Sequence, residues 1–249
     1  MKKTACLVGS LVGDGWMKLP GLCQLSQEYE LSVVAGSYAL PVWEWGKKHL
    51  ADAAYEIVEI IEDPDSEKHP FCPGFGHPAM DAGLKHVKEL RPDEDVIGGD
   101  EIPTCYYKPT PTLNFREPFE QGDWVAVQSF TRHSWKNCRD VVRRVSYPLR
   151  VRALGFPGEL PTLPEGWEDC TKASFDEQVE IVAGCRFFVG VGSSWSNVGT
   201  LFHKPMIHVS YTQDLAQFTN PRMVKVYEPE NDELQLIVNN LWRDVSISA

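Results

Sequence analysis

Between Phe187 and Pro205 the chain reads FFVGVGSSWSNVGTLFHKP. Gly190 and Gly192 are followed by Ser193, Ser194 and Asn197, and then by a helix-like segment from Val198 to His203. These residue types suit an anion. The first N–H groups of a helix lack internal partners, and the helix dipole puts partial positive charge there. Glycine lets a phosphate approach the backbone closely, and serine hydroxyls add donors. The same serines are also common helix caps, so the stretch reads either as a phosphate turn or as a capped strand-to-helix connection. A second candidate is Ser10–Gly15, where Gly13 precedes Asp14. Asp14 reads as a general base or as a loop aspartate capping a helix from Trp16. A third group follows the apolar run at Trp124–Gln128: Gln128 and Ser129 at its end, then Arg132 and Lys136. Arginine suits bidentate phosphate contact and lysine supplies a point charge. The alternative there is a solvated face, because Arg139, Arg143 and Arg144 follow at helical spacing.

Each candidate sits at a punctuation point between elements. The first half reads as strands at Thr4–Gly9, Leu31–Gly36, Tyr55–Ile61 and Asp95–Gly98. Helices come between them at Trp16–Glu28, Trp43–Leu50 and Ala79–Leu90. Asp63 to Pro78 is loop by its prolines. Ile102–Gln121 holds Pro103, Pro109, Pro111 and Pro118, which suits neither a helix nor an inner strand, and reads as a linker. The alternation restarts with a strand at Trp124–Gln128, a helix at Ser134–Val145 and a strand at Arg150–Leu154. Ser174-Phe175-Asp176-Glu177 opens a capped helix to Gly184. The apolar runs from Phe187, from Met206 and at Met223–Val226 are strands, and Asn231–Trp242 is a closing helix. Such alternation predicts an α/β protein with two parallel-sheet halves, residues 1–101 and 122–249, joined by residues 102–121. A ligand is expected in the cleft between them, outside the carboxyl ends of the strands. Trp43 and Trp45 are candidates for stacking on a sugar, although core packing is the commoner fate of tryptophan.

Several classes are excluded. Gly9, Gly13 and Gly15 do not form G-x-G-x-x-G, and the second strand ends at Gly36-Ser37 without an acidic residue, so the dinucleotide fingerprint fails. No P-loop and no G-x-S-x-G elbow occurs. The net charge of −11 argues against a broad nucleic-acid or anionic-membrane surface. No apolar run is long enough to span a bilayer, and the MKKTACLVGS start reads as a first strand rather than a leader. The seven cysteines are scattered, odd in number and without CxxC, which fits reduced thiols and a cytoplasmic location. His69, Cys72, His77 and His86 match no strong zinc spacing, and no DxD pair occurs, so no metal or cofactor is expected.

Taken together, the motifs resemble one family. Gly13-Asp14, five residues, then Pro20 is similar to the G-D-x(5)-P start of the ADP-heptose:lipopolysaccharide heptosyltransferases. Ser174-Phe175-Asp176-Glu177, Ile181-Val182-Ala183 and Phe187-Phe188-Val189-Gly190 resemble the helix and strand before that family's donor loop. Ser193 to Pro205 matches the loop in spacing. Trp135 looks like the family's tryptophan after a basic residue. Gly192, Ser194 and Asn197 replace the family's acidic residue, glycine and histidine, and His133 replaces its lysine. The resemblance implies a GT-B-like fold, two Rossmann-like domains facing a cleft, with the acceptor on the first and a nucleotide-sugar donor on the second. It implies inverting, metal-independent glycosyl transfer to a carbohydrate or other hydroxyl acceptor, with Asp14 as base. Gly13, Gln128, Ser129, Arg132, Lys136, Gly192, Ser193, Ser194 and Asn197 would then bind substrate. A sugar-nucleotide epimerase or hydrolase, and a non-catalytic nucleotide- or sugar-binding module, stay open as alternatives.

Overall fold

The computed structural model describes residues 1–62, 78–104, 112–129, 136–155, 162–191, 194–210 and 220–247, without the side chains of residues 78, 79, 100 and 136–139. Contacts divide the chain into two units, Met1–Glu117 and Pro118–Ala249.

In the first unit β1 (Lys2–Leu7), α1 (Val12–Glu28), β2 (Glu30–Gly36), α2 (Leu40–His49), β3 (Tyr55–Ile61), α3 (Pro78–Leu90) and β4 (Val96–Gly98) follow in order. The sheet has the order β3-β2-β1-β4, and every pairing is parallel. The inner strands are buried along most of their length, as helices on both faces demand. Cys6, Val8, Val34, Val87 and Val96 form one core cluster.

Helix α1 starts earlier than the sequence suggests. Gly13, Asp14 and Gly15 belong to its first turn instead of to a loop. Packing explains the difference. A side chain at Gly15 would begin 3.3 Å from Val42 and 3.4 Å from the Trp43 ring, so glycine here lets α1 lie close against α2. Gly21 does the same for the backbone of Pro103, whose carbonyl occupies the place of its missing methyl. Glycine lowers helix propensity, yet close tertiary packing overrides that cost. Trp43 and Trp45 are core residues, 0% and 1% exposed, and not a sugar platform. Trp45 meets Trp16 edge-on at 5.1 Å and stacks on His49 at 5.0 Å.

The proline-rich segment is held at both ends. Phe115 bridges Leu50, the Ala51 amide donates to the Asn114 carbonyl, and the Arg116 amide donates to the His49 carbonyl. Beyond the boundary of the units, Phe119 packs edge-on against Phe202, and Lys204 donates to the Gln121 side chain.

The second unit contains β5 (Trp124–Gln128), α4 (Lys136–Arg144), β6 (Arg150–Ala153), β7 (Glu168–Asp169), α5 (Phe175–Gly184), β8 (Phe187–Val191), α6 (Ser194–Leu201), β9 (Met206–Ser210), β10 (Met223–Tyr227) and α7 (Asn231–Ile247). Its parallel sheet runs β10-β9-β8-β5-β6-β7. Strand β7 is two residues long and has no periodic signal of its own. Ser174 caps α5: its hydroxyl accepts from the Glu177 amide while Glu177 accepts from the Ser174 amide. On one sheet face Val125, Val127, Phe187, Val189, Val191, Ile207, Val209 and Val226 join side chains of α4 and α7 in a single core.

Candidate functional site

In an open parallel sheet, ligands bind outside the carboxyl ends of the strands, where the strand order reverses. In the second unit the chain proceeds from β5 outward to β6 and β7, then returns to β8 on the other side of β5. The switch point therefore lies between β5 and β8. Gln128 ends β5 directly opposite Gly190 of β8. Ser129 follows Gln128, and α6 begins at Ser194, three residues after β8 ends.

Register sorts the side chains here. Gln128, Gly190, His208 and Lys225 form one row across β5, β8, β9 and β10, and so point to one face. The next row back on that face is apolar: Ala126, Phe188, Met206 and Met223. At Gly190 this row is covered by the Phe188 ring, 2.5 Å from where a side chain would begin, and by the Ser196 hydroxyl of α6 at 3.4 Å. Gln128, Ser129 and Ser196 are 3%, 1% and 0% exposed. Gln128 Oε1, Ser129 Oγ and Ser196 Oγ are buried and make no hydrogen bond among the described residues. Buried polar groups are normally paired, and these three lie where ligands of open parallel sheets bind, which makes the β5/β8 switch point the candidate site. The first turn of α6 adds amide N–H groups and the positive end of its dipole. Burial pushes the His208 imidazole down to about 4, with Lys225 opposing protonation further, so the ring is neutral at neutral pH.

The first unit has its own switch point, between β1 and β4. Ser10 follows β1, is 1% exposed, and its Oγ makes no hydrogen bond among the described residues. Leu11 occupies the N-cap of α1 without a side-chain cap. Asp14 is half-buried in the first helical turn, where a carboxylate is favoured by the helix dipole. It is a helical residue and not the cap. One turn further on, Lys18 is 4% exposed and donates to the Gly99 carbonyl beyond β4 at 3.5 Å.

The sequence-derived candidates therefore fall into two groups. Gln128 and Ser129 lie at the end of β5, and Ser194 and Asn197 in α6, on either side of the switch point of the second unit; Gly13 and Asp14 lie at that of the first. Arg132, Gly192 and Ser193 lie outside the described residues, as do His69, Cys72 and His77 of the weighed zinc cluster. Lys136 is the first residue of α4, and its side chain lies outside them too. Lys18, Ser196 and His208 are missed by motif reading. The alternation of Met206, His208 and Ser210 within β9 is the signal that places His208 on the face of Gly190. Among the described residues no group of three or more His, Cys, Asp or Glu could hold a metal ion, and no helix is long and apolar enough to cross a membrane.

No known family's sequence profile matches the chain, and no curated protein sequence does. Solved structures do. The chain is similar over all of its length to all of the E. coli heptosyltransferase WaaC with ADP, at 14% identity and a TM-score of 0.60. It is similar to the glycosyl transferase family 9 protein of Veillonella parvula, at 8% identity and a TM-score of 0.62, covering 98% of this chain and 97% of that one. The spinosyn rhamnosyltransferase SpnG is similar at 9% identity and a TM-score of 0.55, over 97% of this chain and 92% of that one. At these identities the likeness is one of fold. The α/β fold with two Rossmann-like parallel-sheet domains is that of the GT-B glycosyltransferases.

Proposed function

We propose that the protein is a glycosyltransferase that moves a sugar from a nucleotide-diphospho-sugar to an acceptor hydroxyl with inversion, without a metal. The observation that carries this reading is the β5/β8 switch point, where three buried polar side chains stand open beside the first turn of α6. The GT-B fold makes a nucleotide diphosphate the first ligand to test there. The family resemblance along the chain supports the same reading.

In this reading the second unit holds the donor. Amides of α6 and the hydroxyls of Ser129, Ser193, Ser194 and Ser196 donate to the diphosphate. Arg132 and Lys136 neutralise it, Gly192 lets it approach the backbone, and Asn197 bonds a ribose or sugar oxygen. Helix dipole and basic side chains then stabilise the charge that develops on the leaving diphosphate. In the first unit Asp14 is the general base, and Gly13 leaves room beside it for the acceptor. The acceptor oxygen attacks the anomeric carbon, the bond from that carbon to the diphosphate oxygen breaks, and the hydroxyl proton passes to the Asp14 carboxylate. Inversion follows from attack opposite the leaving group.

The test is a panel of nucleotide-sugars, incubated with and without hydroxyl acceptors. Acceptor-dependent transfer giving the opposite anomer is expected. Nucleoside diphosphate release that is independent of acceptor would identify a hydrolase instead. Stabilisation by nucleotides without any turnover would identify a binding module.

A further inference from the structure

The three open groups at the β5/β8 switch point do not ask for the same ligand atom. Ser129 and Ser196 carry hydroxyls, which donate to a phosphate oxygen as readily as they accept. Gln128 Oε1 is different: a carbonyl oxygen only accepts. It is buried, and it receives no hydrogen bond among the described residues. An ionised diphosphate offers acceptors alone, so it cannot satisfy this atom. In this orientation of the amide its partner is a ligand O–H or N–H at the end of β5, one residue before Ser129.

We propose that Gln128 reads a hydroxyl next to the diphosphate, on the ribose or on the transferred sugar, and that the site rejects donors lacking it. The proposal rests on the donor-site reading above. The discrimination follows from burial. A site built to bond a hydroxyl binds its deoxy analogue poorly, because the buried acceptor is then left without a partner. Gly190 brings no side chain of its own opposite Gln128, and the Phe188 ring fills that place, 2.5 Å from where one would begin, which keeps the amide out of water. The row continues to His208, whose imidazole is neutral, so it adds no charge that would hold a carboxylate or phosphate in place of a hydroxyl.

Calorimetric titration of the full chain with ADP, UDP and GDP, each against its 2′-deoxy and 3′-deoxy forms, tests the ribose arm. The matching nucleotide-sugars with and without the hydroxyl next to the anomeric carbon test the sugar arm. About a tenfold loss of affinity is expected for the deoxy form in one arm, and that arm identifies the hydroxyl. Gln128→Met should bind the intact and deoxy forms within about twofold of each other. Equal affinities for intact and deoxy forms in both arms of the wild-type protein would mean that Gln128 turns its NH2 to phosphate, and would overturn the proposal while leaving the donor site standing. Full discrimination retained in Gln128→Met would also overturn it. Failure of every nucleotide and nucleotide-sugar to bind would instead remove the donor-site reading itself. The wild-type comparison needs no variant, so it decides the matter even if Gln128→Met does not fold.

Discussion

Gln128 and Gly190 stand opposite one another in register at the carboxyl ends of β5 and β8, the two strands between which the order of the second sheet reverses. One brings a buried amide and the other no side chain at all. The Ser196 hydroxyl of α6 lies over Gly190, and the proposed donor site is at this pairing.

Ser196 offers a test that separates a binding site from a core. Its hydroxyl is buried without a hydrogen bond among the described residues, a cost of about 1–3 kcal/mol to the free protein. Ser196→Ala is therefore expected to leave the melting temperature unchanged or raised. Nucleoside diphosphate affinity should fall by about fivefold to tenfold, one hydrogen bond's worth. Thermal melts and titration calorimetry on the same sample check both. A clear drop in stability with unchanged affinity would make Ser196 a packing residue.

Asp14 lies in the first turn of α1. If it is the base, Asp14→Asn should lower kcat by about 10² to 10⁴ while nucleotide affinity stays within about twofold of the wild type. Single-turnover transfer and nucleotide titration give the two numbers. Parallel loss of both would assign Asp14 to folding or binding rather than to proton transfer.

His208 predicts a stability signature in acid. Its folded pKa is pushed from 6.5 down to about 4 by burial, so between those values the unfolded chain binds the proton better. Stability rises with pH wherever the unfolded state holds more protons. The His208 contribution is complete above about pH 6.5 and is lost as pH falls toward 4, by about 3 kcal/mol at most. Melting curves of His208→Gln from pH 7 to pH 4 should be flatter than those of the wild type. Parallel curves would show that the imidazole titrates alike in both states.

Gly21 tests the packing of the proline-rich segment on α1. A methyl group there would run into the Pro103 carbonyl, which is backbone and gives way poorly. Gly21→Ala should cost about 1–3 kcal/mol despite alanine's better helix propensity. For a chain of this size that is a fall of about 2–4 °C in melting temperature for each kcal/mol. A gain in stability would show that residues 102–103 do not hold this position on the helix.

The sequence by itself determined the alternation of strands and helices, because the apolar periods of Leu31–Gly36 and Phe187–Val191 differ from those of the helices between them. It also determined the cap of α5, because Ser174 and Glu177 are spaced to bond each other's amides. The stretch after Phe187–Val191 was readable as a candidate phosphate turn because glycine and serine cluster locally after a buried run. Only the tertiary structure decided three things. It placed Gly13–Gly15 inside α1, since the need for a glycine there arises from Val42 and Trp43 on another helix. It buried Trp43 and Trp45, whose fate depends on Trp16, His49 and Phe115. And it put Gln128 opposite Gly190 and in one row with His208, residues 62 and 80 positions away in the chain. Strand order and register between distant segments set that neighbourhood, and no local pattern encodes either.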